Sequence, residues 1–443
     1  MQFNSILFLF AFFPLFLAAY YILPKMWRNG LLVLGSIFFY YFAGANKVLI
    51  LGLLLGFVLF TYIIAQLLRR PGQGGVLTLA LTVMAAVLVF LKCYRGGRFL
   101  PAGLSFYLFQ LAAYLIDVYR REIRPDGGFV NFAAQAVMFP KILMGPLMDP
   151  KDLQVQARKP DYGFDNFHLG MQELVAGLVL KVLLADRVGG LWAQAGTIGY
   201  ESISTPFAWL ALIAYAMRLF FDFWGYSIMA RGLGHMLGFH IPENFLDPYA
   251  SRSVSEFWRR WHASLGAWFR NYIYIPLGGN RKGALRTFFN LLVVWAFTGL
   301  WHGVGGNYML WAGILFFFII LERIGLRRIL KHTGPLSNIY TVVVILLSWV
   351  PFAIGDQNEM LMFFGRLFGT KGQALNPQDY IIIGKQYLWL LLAGVFCATP
   401  LPRKICRKIK EHPLTDVAVF VLFWIVVYFI ATSSQDPFMY FQY

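Results

Sequence analysis

Two histidines of the 443-residue chain stand where a proton acceptor has a use. His302 closes the apolar run Asn290–Trp301 and is followed by Gly303, Gly305 and Gly306. An ionisable side chain at membrane depth is costly and points to function by default, and the glycines leave space beside the imidazole. Imidazole is also the side chain best suited to take a proton from a hydroxyl near neutral pH. His262 ends the run Glu256-Phe257-Trp258-Arg259-Arg260-Trp261-His262. Helical spacing from Ser255 sets Phe257, Trp261, Leu265, Trp268 and Tyr272 on one stripe. Two histidines facing one cavity could divide proton abstraction and substrate positioning between them. The other five, His168, His235, His240, His332 and His412, occupy span ends or loops.

Around these residues, the interval 240–286 departs from the rest of the chain. Glu256, Arg259, Arg260 and Arg270 interrupt it too often for a lipid-facing span. Two readings stay open: an aromatic helix anchored in the interface, or a segment lining a polar cavity that enters the membrane. Gly278-Gly279-Asn280-Arg281-Lys282-Gly283 could cradle a phosphate through backbone N–H groups and two cations, or turn between helices at lipid phosphates. No nucleotide-binding glycine motif follows a strand signal. Asp117 and Asp222 also lie near span ends, and Arg218, one turn before Asp222, is its expected i,i+4 partner. Cys93, Cys397 and Cys406 form neither a disulfide framework nor a metal spacing, so no metal or tightly bound cofactor is expected.

The elements that position these groups must be membrane helices. Hydrophobic residues make up 59% of the chain and charged ones 13%, against roughly 25% charged in soluble proteins. Spans are expected near 6–23, 30–43, 48–68, 76–91, 103–119, 131–147, 169–190, 205–221, 287–301, 307–325, 337–354, 385–400 and 415–432. This is an all-α, polytopic pattern of about 11–13 transmembrane or re-entrant helices, the shorter runs reading as re-entrant or buried. Met1-Gln2-Phe3-Asn4 lacks the basic start of a signal peptide, so 6–23 reads as a retained span.

The net charge of +17 raises the question of nucleic acid. Its placement between apolar spans answers it: Lys25 and Arg28, Arg69 and Arg70, Arg120, Arg121 and Arg124, then Arg403, Lys404, Arg407, Lys408 and Lys410. Short basic loops stay cytoplasmic, which puts both termini outside and makes membrane lipid, not nucleic acid, the partner of the charge. Lys92, Arg95 and Arg98 fit this pattern poorly. The chain shows no internal repeat, linker or soluble domain, and 1–443 reads as a single membrane domain.

Three stretches together resemble the membrane-bound O-acyltransferase family. They are Glu256-Phe257-Trp258-Arg259-Arg260-Trp261-His262-Ala263-Ser264-Leu265, Tyr274-Ile275-Pro276-Leu277-Gly278-Gly279-Asn280-Arg281, and Gly299-Leu300-Trp301-His302-Gly303. Similarity extends to Met1–Pro24 and to Leu237-Gly238-Phe239-His240-Ile241-Pro242-Glu243-Asn244-Phe245. Within the family, the chain looks most like the bacterial branch that O-acetylates alginate and other exopolysaccharides. The resemblance implies helices around a central acyl-transfer tunnel, His302 as the catalytic residue and His262 near the active site. A cytoplasmic thioester donor, acetyl-CoA, is expected at a cavity lined by the 255–286 segment, with Trp258, Arg259, Arg260, Trp261, Asn280, Arg281 and Trp301 as its binding residues. The resemblance also implies a bacterial cytoplasmic-membrane location, a polysaccharide acceptor and a separate extracytoplasmic SGNH/hydrolase-fold acetyltransferase as partner. Where the family commonly has Asp-Phe-Ser-Gly-Tyr-Ser-Asp, this chain has Asp222-Phe223-Trp224-Gly225-Tyr226-Ser227-Ile228, which removes polar roles from positions 224 and 228.

The tail 433–443, outside by this topology, ends Asp436-Pro437-Phe438-Met439-Tyr440-Phe441-Gln442-Tyr443 and resembles termini of family members that export acyl groups. Tyr440 there is a candidate acyl carrier, splitting one transfer into two steps; interfacial anchoring is the alternative. Three other functions remain open: D-alanyl transfer to teichoic acid, acylation of a lipid or protein, and transport without chemistry.

Overall fold

The computed structural model describes residues 1–42, 47–94, 100–432 and 438; Arg95, Arg98 and Tyr440 lie outside the described residues. The described residues form helices and no strand. Helices satisfy their own backbone polar groups, which is what apolar segments in lipid require. In chain order, the first part is α1 Phe8–Ile22, α2 Lys25–Tyr41, α3 Lys47–Leu67, α4 Gly74–Cys93, α5 Leu104–Tyr119, α6 Phe129–Val137, α7 Phe139–Ile142, α8 Pro150–Arg158 and α9 Phe164–Leu178. A π-helical stretch, Val179–Ala185, leads to α10 Asp186–Ile198 and α11 Thr205–Met236. There follow α12 Val254–Arg260, α13 Ala263–Phe269, α14 Gly283–His302, α15 Gly306–Leu321, α16 Arg327–Leu330, α17 Pro335–Ala353, α18 Gln357–Leu367, α19 Asp379–Ala398, α20 Leu401–Ile409 and α21 Pro413–Thr432.

Among the described residues, eight helices are long and apolar enough to cross a membrane: α3, α4, α11, Gly306–Leu330 (α15 and its continuation), α14, α17, α19 and α21. The expected span at 205–221 is longer than foreseen and runs on to Met236. The expected span at 131–147 is not one helix. It breaks after Val137, where the Phe139 N–H is donated to Ser36 Oγ at 3.0 Å instead of to its own helix. Pro140 then starts the short α7, and Gly145 is required because a Cβ there would lie 2.4 Å from Lys141 Cα.

The chain divides into two compact units, one of Met1–Leu178, Tyr226–Glu243 and Val421–Gln442, the other of Val179–Gly225 and Asn244–Phe420 with Tyr443. In the first, Phe139 is enclosed by Phe12, Phe16 and Phe39 at 5.3–5.6 Å between ring centroids. There α9 and the end of α11 approach so closely that a Cβ on Gly170 would meet the Gly232 carbonyl at 2.5 Å, the small-residue packing used between helices in lipid. Glu173 accepts from Arg231 at 2.6 Å across the same crossing. Phe438, from the C-terminal tail, is buried and packs edge-on against Tyr226 at 5.1 Å.

The second unit holds both histidines. Its α14 and α15 form a tight helical hairpin, because Gly299 lets the helices meet where a Cβ would lie 3.1 Å from Ala312 Cβ. Deep in this unit, the fully buried Lys181 donates at 2.6 Å to Asp222 and at 2.6 Å to Asp186. Lys181, on the π-helical stretch, is thus a partner of Asp222 that helical spacing around Asp222 could not offer. A lysine and an aspartate so deeply buried are tolerated because they are paired.

Candidate active site

The stripe from Ser255 to Tyr272, expected as one helix, is two helices with a break at Trp261-His262. His262 adopts a left-handed backbone (φ 48°), which ends α12 and starts α13. The cause lies in the loop before α12. The Leu246 N–H donates to the Arg260 carbonyl at 2.9 Å, and the Ala263 N–H donates to the Asn244 carbonyl at 2.9 Å. These bonds pin the turn between α12 and α13 at which His262 stands.

The seven-residue α12 is too short to be stable alone and is held at its N-terminus from two sides. Ser253 Oγ accepts from the Glu256 N–H at 3.1 Å, and Glu256 reaches back to accept from the Arg252 N–H at 2.9 Å, close to a capping box. Glu322, buried where α15 continues, accepts from the Val254 N–H at 2.6 Å, the Ser255 N–H at 3.0 Å and the Ser255 hydroxyl at 2.6 Å. A carboxylate at a helix N-terminus also suits the helix dipole. The result is a rigid mount for Trp258 and for the turn that presents His262.

The polar contacts of His262 define its protonation. Asn244 Oδ1 lies 3.0 Å from His262 Nδ1, 3.2 Å from the Ser264 N–H nitrogen and 2.9 Å from Ser264 Oγ. A backbone N–H can only donate, so the atom facing Ser264 is the amide oxygen and not the nitrogen. An oxygen there obliges His262 Nδ1 to carry the hydrogen, and Nε2 is then the basic nitrogen. Burial pushes the imidazole down to about 3, so it stays neutral at physiological pH. Phe223 packs edge-on against the ring at 4.7 Å.

His302 is buried at the C-terminal end of α14. Gly303 follows in an extended conformation, and a Cβ there would fall 2.4 Å from the Tyr308 ring. Glycine is therefore required for Tyr308 to pack against this turn. The imidazole is surrounded by aromatic rings: Trp301 at 4.5 Å, Trp311 at 4.8 Å and Phe352 at 5.1 Å between centroids. Behind them Trp258 contacts Trp295, Trp311 and Trp349 at 5.3, 5.5 and 6.1 Å. Trp301 also lies 6.2 Å from the His262 ring, so one indole neighbours both histidines.

Of the residues singled out from sequence, His262, His302, Trp258, Trp261 and Trp301 belong to this one aromatic cluster, with Trp261 touching Trp349 at 5.3 Å. Arg259 is exposed, and Arg260 pairs with Glu256 at 2.6 Å and donates to the Asp247 carbonyl at 3.3 Å. Asn280 and Arg281 are exposed on the glycine loop. The loop's backbone turns inward: Gly278, Gly279 and Arg281 donate to Ile275, Tyr274 and Gly278, and Asn290 holds the Gly279 carbonyl at 2.9 Å. Those three N–H groups are thus spent within the chain. Sequence reasoning gave no role to Asn244, Ser264, Glu322, Trp311, Trp349 or Phe352. Glu322 carried a usable signal, since it is an acid at the end of sixteen uncharged residues, Gly306–Leu321. Among the described residues no group of three His, Cys, Asp or Glu is arranged to hold a metal ion.

The described residues thus form a polytopic, all-helical membrane protein with two buried histidines beside one indole. The chain belongs to the membrane-bound O-acyltransferase family, whose model matches residues 72–352. It is 32% identical to the probable alginate O-acetylase of Pseudomonas putida, over 100% of both chains. It is 28% identical to the peptidoglycan O-acetyltransferase of Helicobacter pylori, over 100% of this chain and 97% of that one. The teichoic acid D-alanyltransferase of Bacillus subtilis is similar over a smaller part, 29% identical across 40% of this chain and 47% of its own. The chain is accordingly a multi-pass membrane O-acyltransferase that uses an acyl donor.

Proposed function

We propose that this enzyme moves acetyl groups from cytoplasmic acetyl-CoA across the bacterial cytoplasmic membrane for O-acetylation of an extracellular or cell-wall polysaccharide. The observation that carries this reading is the pair of histidines sharing Trp301, one of them held as a neutral Nδ1–H tautomer by Asn244. Full-length similarity to acetylases of alginate and peptidoglycan supports acetyl as the group and polysaccharide as the acceptor class. The family match runs through residues of both compact units, which supports treating 1–443 as one catalytic domain.

In this mechanism His302 takes the proton of an acceptor hydroxyl as its oxygen attacks the thioester carbonyl. The carbon–sulfur bond breaks, and the proton passes from His302 to the departing thiolate, giving free CoA. His262 Nε2 accepts a hydrogen bond from a bridging water, whose second hydrogen is donated to the oxygen of the same hydroxyl and orients it. Trp258, Trp261 and Trp301 exclude water around the acyl group, while Arg259, Arg260, Asn280 and Arg281 meet the phosphates of the donor. Tyr440 is the first acceptor, and its acetyl ester passes outside to a partner transferase of the SGNH hydrolase type, which restores the phenol when the polysaccharide hydroxyl takes the acetyl group. Both termini lie outside, with the 403–410 basic cluster in the cytoplasm.

The test is labelling of the purified protein with acetyl-CoA carrying an isotopic acetyl group. Label at Tyr440, absent from Tyr440→Phe, is expected. Label that survives this substitution overturns the tyrosine step, and D-alanyl transfer in place of acetyl transfer overturns the choice of donor.

A further inference from the structure

Helix α20 is the most strongly divided surface in the molecule. Leu401, Pro402, Ile405, Cys406 and Ile409 fall on one side of its helical wheel, and Arg403, Lys404, Arg407, Lys408 and Lys410 on the other. None of its residues is buried. Leu401, Ile405 and Ile409 are 53%, 47% and 43% exposed. The helix joins two membrane-length helices, α19 and α21, so it lies at the level where hydrocarbon gives way to headgroups. An apolar row flanked by cations is the form of a helix lying in that interface among acidic lipids.

One of its cations does something else. Arg403 Nη2 donates to the Phe245 carbonyl at 2.7 Å, and its Nη1 lies 3.5 Å from Asp247 Oδ2. This is the loop that holds the His262 turn: Asn244 bonds His262 and Ser264, Leu246 bonds Arg260, and Arg260 bonds Asp247. Asp247 itself sits in the left-handed region (φ 51°), a conformation that needs support from its surroundings.

We propose that α20 is a binding site for anionic phospholipid headgroups, and that through Arg403 the bound lipid steadies the 244–247 loop that positions His262. The exposed Lys404, Arg407 and Lys408 supply the headgroup contacts, and Leu401, Ile405 and Ile409 enter the acyl region. A soluble phosphate donor would use the cations but leave the apolar row without a function, which favours lipid as the occupant. The coupling to activity rests on the acyl-transfer reading of His262; the lipid site does not.

The experiment reconstitutes the full chain in phosphatidylcholine vesicles, with or without an equimolar share of phosphatidylglycerol. Association of spin-labelled phosphatidylglycerol relative to phosphatidylcholine is read by electron paramagnetic resonance, and acetyl transfer is measured on the same samples. The wild-type protein is expected to prefer phosphatidylglycerol, and Arg407→Gln with Lys408→Gln to lose that preference by up to about fivefold for each cation removed. Arg403→Gln is expected to keep most of the lipid preference and lose the rise in kcat that phosphatidylglycerol produces. Equal association of both lipids with the wild-type protein overturns the proposal. So does a double variant whose KM for acetyl-CoA rises while its lipid preference is unchanged, which assigns the cations to the donor. Absence of acetyl transfer in every vesicle would fault the enzymatic reading, and the resonance measurement would still decide the lipid site.

Discussion

Asn244→Ala removes the side-chain amide, on whose Oδ1 three donors converge in a buried place. The Ser264 N–H, the Ser264 hydroxyl and His262 Nδ1–H all lie within 3.2 Å of it. Each buried donor left unsatisfied costs about 1–3 kcal/mol, and partial relaxation of the Ser264 hydroxyl brings the expected loss of stability to about 2–4 kcal/mol. The catalytic effect has a different origin. Without the carbonyl oxygen nothing obliges the imidazole to carry its hydrogen on Nδ1, and Nε2 ceases to be reliably basic. Loss of an orienting contact that misplaces the reacting hydroxyl by about 1 Å costs about 10²-fold, so kcat should fall about 10²-fold with KM for acetyl-CoA nearly unchanged. Asn244→Asp keeps an acceptor for all three donors and should restore most of kcat. Its negative charge also raises the His262 pKa, so the acid limb of the pH–rate profile should move to higher pH, which a merely structural role would not produce. Ser264→Ala leaves the histidine bond in place and should cost less than about tenfold. The assay is steady-state acetyl transfer by purified variants, paired with thermal unfolding. A kcat for Asn244→Ala within twofold of wild type, or an Asp variant with an unmoved pH profile, refutes the tautomer argument.

Gly303→Ala places a methyl group 2.4 Å from the Tyr308 ring and should displace the end of α14; misplacement of His302 by about 1 Å predicts a loss near 10²-fold in kcat, partly recovered when Tyr308→Ala is added. Glu322→Ala strips three hydrogen bonds from the start of α12 and should lower stability by about 2–4 kcal/mol. Faster hydrogen exchange over 254–260 would locate that effect, and unchanged exchange would contradict it. Burial holds His262 at about 3 in the fold, below its usual 6.5. The neutral form is therefore the stabilised one, so this contribution is complete above pH 6.5 and is lost as the pH falls toward 3. Thermal unfolding should show about 2 kcal/mol of destabilisation between pH 7 and pH 5 that His262→Gln abolishes; an equal acid loss in that variant would assign it to other groups.

His302 was legible in the sequence because the signal was local: an apolar run, an imidazole at its end and glycines beyond it. The membrane helices were legible for the same reason, since length and composition are properties of contiguous residues. The break at His262 was not legible. Trp258, Trp261, Leu265 and Trp268 keep helical spacing through it, and the bonds that interrupt the helix come from Asn244 and Leu246, distant in sequence. Lys181 and Asp222 illustrate the same limit, as their pairing joins residues 41 positions apart. Arg218 was the only basic residue within a helical turn and so the only partner that periodicity could offer. Glu322, like Asp222, is an acid at the end of an apolar run and carries the same local signal. Trp311, Trp349 and Phe352 carried no signal at all, because an aromatic residue in an apolar helix looks alike whether it faces lipid or an active site.

If His302 performs the acyl transfer, His302→Ala must abolish it. The purified variant, shown by its thermal transition to be folded, is incubated with acetyl-CoA labelled in the acetyl group, and transfer to the protein or to an added acceptor is counted. Transfer is expected to fall about 10³-fold or more, with the protein still folded and His262 still in place. Transfer at a rate near that of the wild-type protein would contradict this role of His302 and move the chemistry away from the end of α14.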